Sequence, residues 1–245
     1  MCEPCGCGDR ELVAVEVHEN LLAGNDRTAG HNREHFRERG VAAFNLMSSP
    51  GSGKTALLEA TARAFSGDRQ IGVLAGDLET ERDAERLRAA GVAAAAITTG
   101  SACHLDAEMV HRALHHFPWR QLDYLFIENV GNLVCPAIYD LGQEANVVAL
   151  SVTEGEDKPL KYPVMFRNAD LVLLTKVDLL PHLPGYSVAA VEDALARVAV
   201  RPVMLPVSSR TGEGMHRWLE WLETRRALRV ALSPAANRHA SLAIA

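Results

Sequence analysis

A glycine-rich segment, SSPGSGKT at residues 48–55, has the composition and spacing of a phosphate-binding loop. Glycines let backbone N–H groups approach phosphates, and the N-terminus of a following helix favours negative charge. Lys54 would reach the β- and γ-phosphates of a nucleotide, and the Thr55 hydroxyl would bind Mg²⁺. Ser48 departs from the G-x-x-x-x-G-K-[ST] pattern, which has glycine at this position. The segment predicts a nucleoside triphosphate site formed by Gly51, Ser52, Gly53, Lys54, Thr55 and Ala56.

Two later segments indicate which base this site binds. The tetrapeptide TKVD follows an apolar run, and its Asp178 could accept hydrogen bonds from N1–H and the 2-amino group of guanine. Taken alone, TKVD is equally compatible with a charged turn at the end of a strand. The segment VSSRTGEG at 207–214 resembles a second guanine-contacting loop and would bring Ser208 and Ser209 beside the base. Together with Lys176, these residues predict GTP and GDP as the nucleotides.

Two acidic residues stand at the ends of predicted strands. Asp77 follows IGVLAG and Glu128 follows DYLFI. Ligands collect at the carboxyl ends of parallel strands, so both carboxylates could hold Mg²⁺ and one could orient the attacking water. An exposed strand-end acid without a role is the alternative for each. Lys54, Asp77 and Glu128 are therefore the candidate catalytic residues, and the N–H of Gly131 is a candidate sensor of the γ-phosphate.

Three of the five cysteines lie at the start of the chain, in MCEPCGCG. Cys2, Cys5 and Cys7 offer three soft ligands that suit Ni²⁺, Zn²⁺ or Cu⁺. If Met1 is removed, the α-amine of Cys2 would supply a fourth donor, and a square plane of one nitrogen and three sulfurs would favour nickel. Exposed reactive thiols without a metal are the alternative.

A second metal site is predicted from Cys103, His104 and Cys135. Two thiolates and one imidazole form a competent but incomplete ligand set, which a water or a second subunit would complete. A buried cysteine beside a helix-capping histidine is the alternative. Cys135 lies seven residues after Glu128, so the candidate switch and a candidate metal ligand share one segment.

Other histidines fall at helical spacing, at positions 111, 115 and 116. They could bind a divalent ion. No thiolate or acid accompanies them in a recognisable pattern, so a solvated helix face is the preferred interpretation.

Apolar runs of strand length alternate with amphipathic segments of helix length after residue 40. Runs that are apolar on both faces and separated by helices indicate a mostly parallel sheet that is covered on both sides. The predicted strands cover 43–47, 71–76, 92–98, 123–128, 146–152, 170–175 and 202–208; the predicted helices cover 53–66, 80–90, 105–117, 188–199 and 214–229. This order predicts an α/β fold, a doubly wound and mostly parallel P-loop NTPase sheet with helices on both faces.

The chain divides into three predicted parts. Residues 1–40 form a flexible metal-binding arm with a modest helical run near 32–39, residues 41–230 form the nucleotide-binding domain, and residues 231–245 form a loose tail. Within 245 residues, 25 Lys and Arg against 31 Asp and Glu give a net charge of −6, and only 5% of residues are aromatic. This balance argues against a nucleic-acid partner.

Two further observations concern location. No apolar run approaches the ~18 residues that span a bilayer, and the N-terminus has neither a basic nor an apolar signal region. An odd number of cysteines is poor material for a disulfide framework. We therefore expect a cytoplasmic protein with no membrane partner.

With these residues in place, the chain resembles the HypB family, the nickel-inserting GTPases of nickel–iron hydrogenase maturation. The resemblance covers nearly the whole chain and depends on the order and spacing of several segments. The most specific are CEPCGC at 2–7, SSPGSGKT at 48–55, TGSACHLDAEM at 99–109, ENVGNLVCP at 128–136 and GEDKPLKYP at 155–163.

The resemblance implies a slow GTPase that acts as a nickel metallochaperone. It implies a high-affinity nickel site on the three N-terminal cysteines and a weaker nickel or zinc site on Cys103, His104 and Cys135. It also implies a GTP-dependent homodimer, a HypA-like nickel chaperone as partner, and delivery to a hydrogenase large-subunit precursor. Some relatives carry a long His-rich store, whereas the arm here has only His18, His31 and His35, so nickel storage is not expected.

Two other functions stay open at this point. One is a related accessory GTPase that serves urease or a cobalamin enzyme; the CEPCGC start argues against it. The other is a metal-buffering protein whose nucleotide site is regulatory. Loss of GTP hydrolysis on substitution of Lys54 would exclude the second function.

Overall fold

A computed structural model describes the chain from residue 9 to residue 231, with side chains from residue 21 onward. The three cysteines of the predicted N-terminal nickel site, Cys2, Cys5 and Cys7, and the predicted tail after residue 231 lie outside the described residues. None of the helices in the described part is both long and apolar enough to cross a membrane.

Seven strands form one sheet in the order β3-β2-β4-β1-β5-β6-β7, and every neighbouring pair is parallel. Each strand lies within two residues of its predicted bounds, which confirms the predicted parallel α/β sheet. β1 sits at the centre, so its carboxyl end opens between β4 and β5 at the edge where ligands bind in such sheets. The strands are β1 Ala42–Ser48, β2 Ile71–Asp77, β3 Ala93–Thr98, β4 Tyr124–Glu128, β5 Ala145–Ser151, β6 Leu171–Thr175 and β7 Met204–Val207.

Helices connect the strands as predicted, with short additions. The α-helices are α1 Asp9–Arg39, α2 Lys54–Phe65, α3 Arg82–Ala89, α4 Ala107–Leu114, α5 Lys158–Lys161, α6 Pro163–Arg167, α7 Val188–Val198 and α8 Met215–Ala231. Short 3-10 helices cover Trp119–Gln121, Cys135–Ala137 and Val177–His182. The sequence did not predict α5 and α6, because each is shorter than two turns and carries no helical periodicity.

Successive residues of β4 cover the two faces of the sheet. Tyr124 and Phe126 pack with Phe44 on the face covered by α2 and α8, where Trp218 is buried and its indole N–H donates to the Thr61 hydroxyl at 2.9 Å. Residues 125 and 127 point to the other face, where they pack under α1 and α4. Because helices cover both faces of the sheet, successive residues of a strand are apolar whichever face they point to. The sequence therefore shows continuous apolar runs.

The N-terminal helix α1 is much longer than the predicted helical run at 32–39, and its second half packs on the domain. Phe36 and Asn32 are fully buried, and the Asn32 amide donates to the carbonyl oxygens of Ala107 and Leu141 at 3.0 and 3.2 Å. The buried residues in the part of α1 with described side chains are Ala29, Asn32 and Phe36, and only two of them are apolar, so no apolar stripe could be recognised in sequence. This part of the predicted arm is therefore packed against α4.

Candidate nucleotide and metal sites

The phosphate-binding loop connects β1 to α2 and opens into a cleft of about 500 Å³. Gly53 has φ 96°, a left-handed conformation that only glycine adopts easily, and α2 begins at the next residue. The Lys54 ammonium donates to the hydroxyl of Ser48 at 2.9 Å, so the serine found where the pattern has glycine holds the lysine in place. Burial lowers the pKa of Lys54. Gly51 and Ala56 also line the cleft.

Glu154, which follows β5, fixes the loop from the other side. Its Oε1 accepts from the Ser52 hydroxyl at 2.9 Å and from the Ser151 N–H at 3.1 Å, and its Oε2 accepts from the Ser49 hydroxyl. The Lys158 ammonium lies 3.3 Å from Oε2 in the same chain. Glu154 was not predicted from the sequence. It is nevertheless an acid just after an apolar strand, and this is the criterion that selected Asp77 and Glu128.

Glu128 lies deep in the cleft at the end of β4, with 3% exposure. The Thr55 hydroxyl lies 2.8 Å from Glu128 Oε1 and 2.9 Å from Asp83 Oδ1, and can donate to only one of them at a time. Glu128 Oε2 has no hydrogen-bond partner within the described part of the chain, and burial raises the pKa of the carboxyl to about 7. A buried carboxylate oxygen without a hydrogen-bond donor is well suited to bind a cation.

The predicted acid Asp77 reaches the same cleft from the end of β2, but its oxygens already have partners. Oδ1 accepts from the Leu78 N–H at 2.6 Å, and Oδ2 accepts from the Thr80 hydroxyl. Asp83, from the first turn of α3, was not predicted because it lies on a helix and not at a strand end. The structure thus adds a third acid to the cleft.

The donor set of the cleft fits Mg²⁺. Oxygen ligands from carboxylates and hydroxyls are those that Mg²⁺ prefers, and it keeps several waters when it also binds nucleotide phosphates. The Thr55 hydroxyl lies within hydrogen-bond distance of oxygens of both Glu128 and Asp83, and Asp77 lines the same space. The unpartnered Glu128 Oε2 is the group that most needs such an ion.

The segment that follows β4 lies directly against the phosphate-binding loop. A Cβ at Gly131 would come within 2.9 Å of the Pro50 Cα, so only glycine allows this approach. The buried Asn129 accepts from the Leu105 N–H at 3.0 Å and donates to the Asn45 side chain at 3.0 Å. The predicted sensor Gly131 is thus in van der Waals range of the loop that would hold the phosphates.

The residues that the sequence predicts to bind the base lie on neighbouring loops. Lys176, at φ 60°, sends its ammonium to the Gly51 carbonyl at 2.8 Å. Asp178 Oδ1 accepts from the Ser208 hydroxyl at 2.6 Å, which orients the carboxylate, and Ser209 lies in the turn that follows. The hydrogen bond occupies one carboxylate oxygen and leaves accepting capacity on the other.

The second predicted metal site is assembled. Cys103 Sγ lies 3.1 Å from Cys135 Sγ and 3.9 Å from His104 Nδ1, and the candidate ligand atoms all lie within 4.8 Å of one another. The neighbouring Cys103 thiol, followed by burial, raises the pKa of Cys135. Burial lowers the pKa of His104, whose ring stacks on Tyr139 with centroids 4.0 Å apart. A bound cation would favour the thiolates over the protonated pair.

Comparison with known proteins identifies the family of this domain. Residues 42–201 match the family model for the CobW/HypB/UreG nucleotide-binding domain. A hydrogenase maturation factor HypB from Azotobacter chroococcum is 50% identical over 216 residues, covering 88% of this chain and 70% of the relative. The chain belongs to the HypB family of hydrogenase maturation factors.

Solved structures of the family have the same fold. HypB from Helicobacter pylori, solved in complex with nickel, has a TM-score of 0.80 and 40% identity, covering 84% of this chain and 97% of that one. HypB from Archaeoglobus fulgidus has a TM-score of 0.77 and 40% identity, covering 84% and 100%. The cleft described above therefore belongs to a HypB-family nucleotide-binding domain.

Proposed function

We propose that this HypB-family chain is a GTP-hydrolysing nickel metallochaperone that supports nickel insertion during maturation of nickel–iron hydrogenase. In this proposal Cys2, Cys5 and Cys7 bind Ni²⁺ tightly, and the site of Cys103 and its two neighbours binds Ni²⁺ or Zn²⁺ more weakly. The family membership and the nickel complex of the Helicobacter pylori relative support the proposal.

One observation carries the link between nucleotide and metal: the segment 128–135 touches both sites. At its start Glu128 contacts Thr55 of the phosphate-binding loop, and at its end Cys135 lies 3.1 Å from Cys103. A change in the nucleotide at one end of this short segment can alter the position of a thiolate at the other.

Two asparagines tie the same segment to the other half of the metal site. Asn129 accepts from the N–H of Leu105, and the Asn132 amide donates to the Cys103 carbonyl at 3.3 Å. Asn129 and Asn132, in the segment that follows Glu128, thus hold the part of the chain that carries residues 103–104. Cys135 lies in the same segment as these two asparagines. Coupling requires that the two nucleotide states differ in their metal-binding free energy, and about 1–3 kcal/mol is typical.

The proposed reaction is attack of water on the γ-phosphorus of GTP, with cleavage of its bond to the β-phosphate oxygen and release of GDP and phosphate. Lys54 would neutralise charge on the β- and γ-phosphates, and the backbone of the loop would cradle them. Asp77 or Glu128 would orient the water. Mg²⁺, bound by Thr55 and the acids of the cleft, would supply further charge neutralisation on the phosphates.

Guanine is the proposed base. A carboxylate at Asp178 can accept from both N1–H and the 2-amino group of guanine, and adenine offers no such donor pair. The Ser208 hydroxyl, which donates to Asp178 Oδ1, supports this assignment because it fixes the carboxylate. Asp178→Asn should shift preference from GTP toward xanthosine triphosphate; unchanged preference would contradict the assignment.

The incomplete metal site and its surroundings support a second copy of the chain as a partner, and the resemblance to the HypB family implies the other proposed partners. Three protein ligands leave a coordination position for water or for a second copy of the chain. The exposed side chains of Val134 and Ile138 flank Cys135, and such apolar groups suit a protein contact. We propose a GTP-dependent homodimer in the cytoplasm, a HypA-like nickel chaperone as partner, and a hydrogenase large-subunit precursor as recipient.

A nickel titration in two nucleotide states tests this function. Thiolate-to-nickel absorption is followed in the full chain with GDP and with a non-hydrolysable GTP analogue. We expect a tight event and a weaker one, and a shift of the weaker affinity of about 5–150-fold between nucleotides. Cys135→Ala should remove the weaker event, whereas the exposed His216→Asn should not. Equal affinities in both nucleotide states would refute the coupling.

Two other measurements, GTP turnover of a Lys54 variant and restoration of hydrogenase activity, separate the two alternative functions. A metal buffer with a regulatory nucleotide site would bind nickel without GTP turnover that depends on Lys54, so retained turnover in Lys54→Ala would contradict our assignment. An accessory GTPase for urease or a cobalamin enzyme would hydrolyse GTP but fail to restore hydrogenase activity in a strain that lacks its own HypB.

A further inference from the structure

Four histidines lie on two helices, α1 and α4, that pack against each other. His31 and His35 lie four residues apart on α1, and His111 and His115 lie four residues apart on α4. Side chains at this spacing share one face of a helix, and two histidines so placed can bind one zinc ion. The packing of α1 on α4 brings the two pairs together.

The rings of three of these histidines lie close together, but their ligand atoms do not all lie within 4.8 Å of one another, so binding one ion would require side-chain rotation. The ring centroids of His35 and His111 are 5.7 Å apart, and those of His111 and His115 are 5.0 Å apart. Imidazole nitrogens bind such ions at about 2.0–2.1 Å, so two rings on one tetrahedral ion have centres roughly 5 Å apart. His31 is exposed and lies one helical turn before His35 on α1.

A buried amide prepares His111 as a ligand. Both N–H groups of the fully buried Asn32 side chain are used by the carbonyls of Ala107 and Leu141, so its Oδ1 is the atom that meets His111 Nδ1 at 2.9 Å. Since a carbonyl oxygen only accepts, His111 Nδ1 must carry the hydrogen. The lone pair is then on Nε2, and this is the arrangement of metal-bound histidines, which donate their other N–H to an acceptor.

Burial, followed by the neighbouring rings of His115 and His35, lowers the pKa of His111. A neutral imidazole is the form that binds a metal, so this ring is available at neutral pH. The preferred interpretation from sequence, a solvated histidine face, did not include α1, because residues about 80 positions apart meet only in the folded domain.

We propose that His35, His111 and His115, with His31 at the rim, form an imidazole site for a divalent transition ion such as Ni²⁺ or Zn²⁺. Imidazole ligands suit these ions, and an all-nitrogen set is weaker and more exchangeable than the thiolate sets elsewhere in the chain. The site does not depend on the proposed GTPase activity, and it gives the short arm a metal-holding role that its histidine count alone did not suggest.

The test uses full-length, untagged protein in which all five cysteines are replaced by serine, so that thiolate sites cannot contribute. Equilibrium dialysis against Ni²⁺ alone at neutral pH should give one bound ion per chain, without thiolate-to-nickel absorption. In nuclear magnetic resonance spectra, paramagnetic Ni²⁺ should broaden the ring signals of His35, His111 and His115 before those of His182 and His216. Absence of a bound ion, or broadening of all histidines alike, would overturn the proposal.

Substitutions then identify the ligands. The double variant His35→Gln and His115→Gln, made in the same cysteine-free chain, should bind Ni²⁺ at least about tenfold more weakly, because loss even of an outer-shell partner costs about 10–100-fold. His116→Gln, an exposed neighbour outside the cluster, is the matched control and should bind as the parent does. Equal weakening of Ni²⁺ binding in the double variant and the control, or no weakening in either, would contradict the assignment. The broadening of ring signals in the parent protein tests the site even if the double variant does not fold.

Discussion

The charge on Glu128 should control how the stability of the nucleotide-free protein depends on pH. Burial raises the pKa of this carboxyl from its ordinary 4.5 to about 7, against the opposing effects of Lys54 and of the Thr55 hydroxyl. Because the folded-state pKa lies above the unfolded one, the favourable contribution of Glu128 is complete below pH 4.5. It is lost as pH rises from there through about 7.

The size of this effect follows from linkage. One pKa unit corresponds to about 1.4 kcal/mol, so relative to low pH the unfolding free energy falls by about 2 kcal/mol at pH 6, where the carboxyl ionises mainly in the unfolded chain, and by about 3 kcal/mol at pH 8. Glu128→Gln cannot ionise and escapes this cost. The variant should therefore gain about 1 kcal/mol relative to the parent between pH 6 and pH 8.

Urea unfolding at pH 6, 7 and 8, with a chelator and without nucleotide, measures this difference. Comparing parent and variant cancels every titration that the two proteins share. Glu220→Gln, on the exposed side of α8, controls for the loss of one carboxylate. A stability difference between parent and Glu128→Gln that stays constant with pH, or that favours the parent as pH rises, would refute the argument that this carboxyl is ionised at a cost.

Two further predictions concern glycines at close approaches. Gly131→Ala would place a Cβ 2.9 Å from the Pro50 Cα. This overpacking, of about 1–3 kcal/mol, should weaken binding of a fluorescent guanine nucleotide about 5–150-fold. Unchanged affinity would mean that the phosphate-binding loop and the segment after β4 move independently. Gly214→Ala would place a Cβ 1.9 Å from the Pro206 carbonyl oxygen at φ 71°, and should lower the free energy of unfolding by more than about 3 kcal/mol. Gly212→Ala, at φ 84° with open space around it, is the matched control and should cost only about 1 kcal/mol; equal melting temperatures for the two variants would contradict the clash.

The sheet could be predicted from sequence because its strands are buried on both faces. A strand such as β6 is an unbroken apolar run, and an apolar run between helices has few alternative folds. The phosphate-binding loop could be predicted for a related reason, since its chemistry requires specific residues at adjacent positions. In both cases the signal is local, so neighbouring residues suffice to reveal it.

The parts that were missed depend on contacts between distant residues. Asp83 meets Thr55 across 28 positions, so no local spacing marks it; Glu154 follows an apolar strand, but its role appears only in its contact with Ser52, 102 positions away. The docking of α1 depends on Asn32, a polar residue whose burial is favourable only because carbonyls from two other segments accept from its amide. Such a residue looks like part of a solvated surface until the fold supplies its partners.

The cost of burying Glu128 also bears on how a nucleotide could act at the distant thiols. A cation in the cleft would remove a penalty of about 3 kcal/mol, which is as large as the differential free energy that coupling between sites typically requires. The ion can remove this penalty only if it contacts Glu128 inside the cleft. Glu128 is also the first residue of the segment that ends at Cys135. Since Asn129 holds this segment to Leu105 by a buried hydrogen bond, a shift that improves the fit at Glu128 cannot stay local. Under the proposed coupling, an ion that removes this penalty at Glu128 would therefore act on the geometry of the two thiols through the segment that joins them.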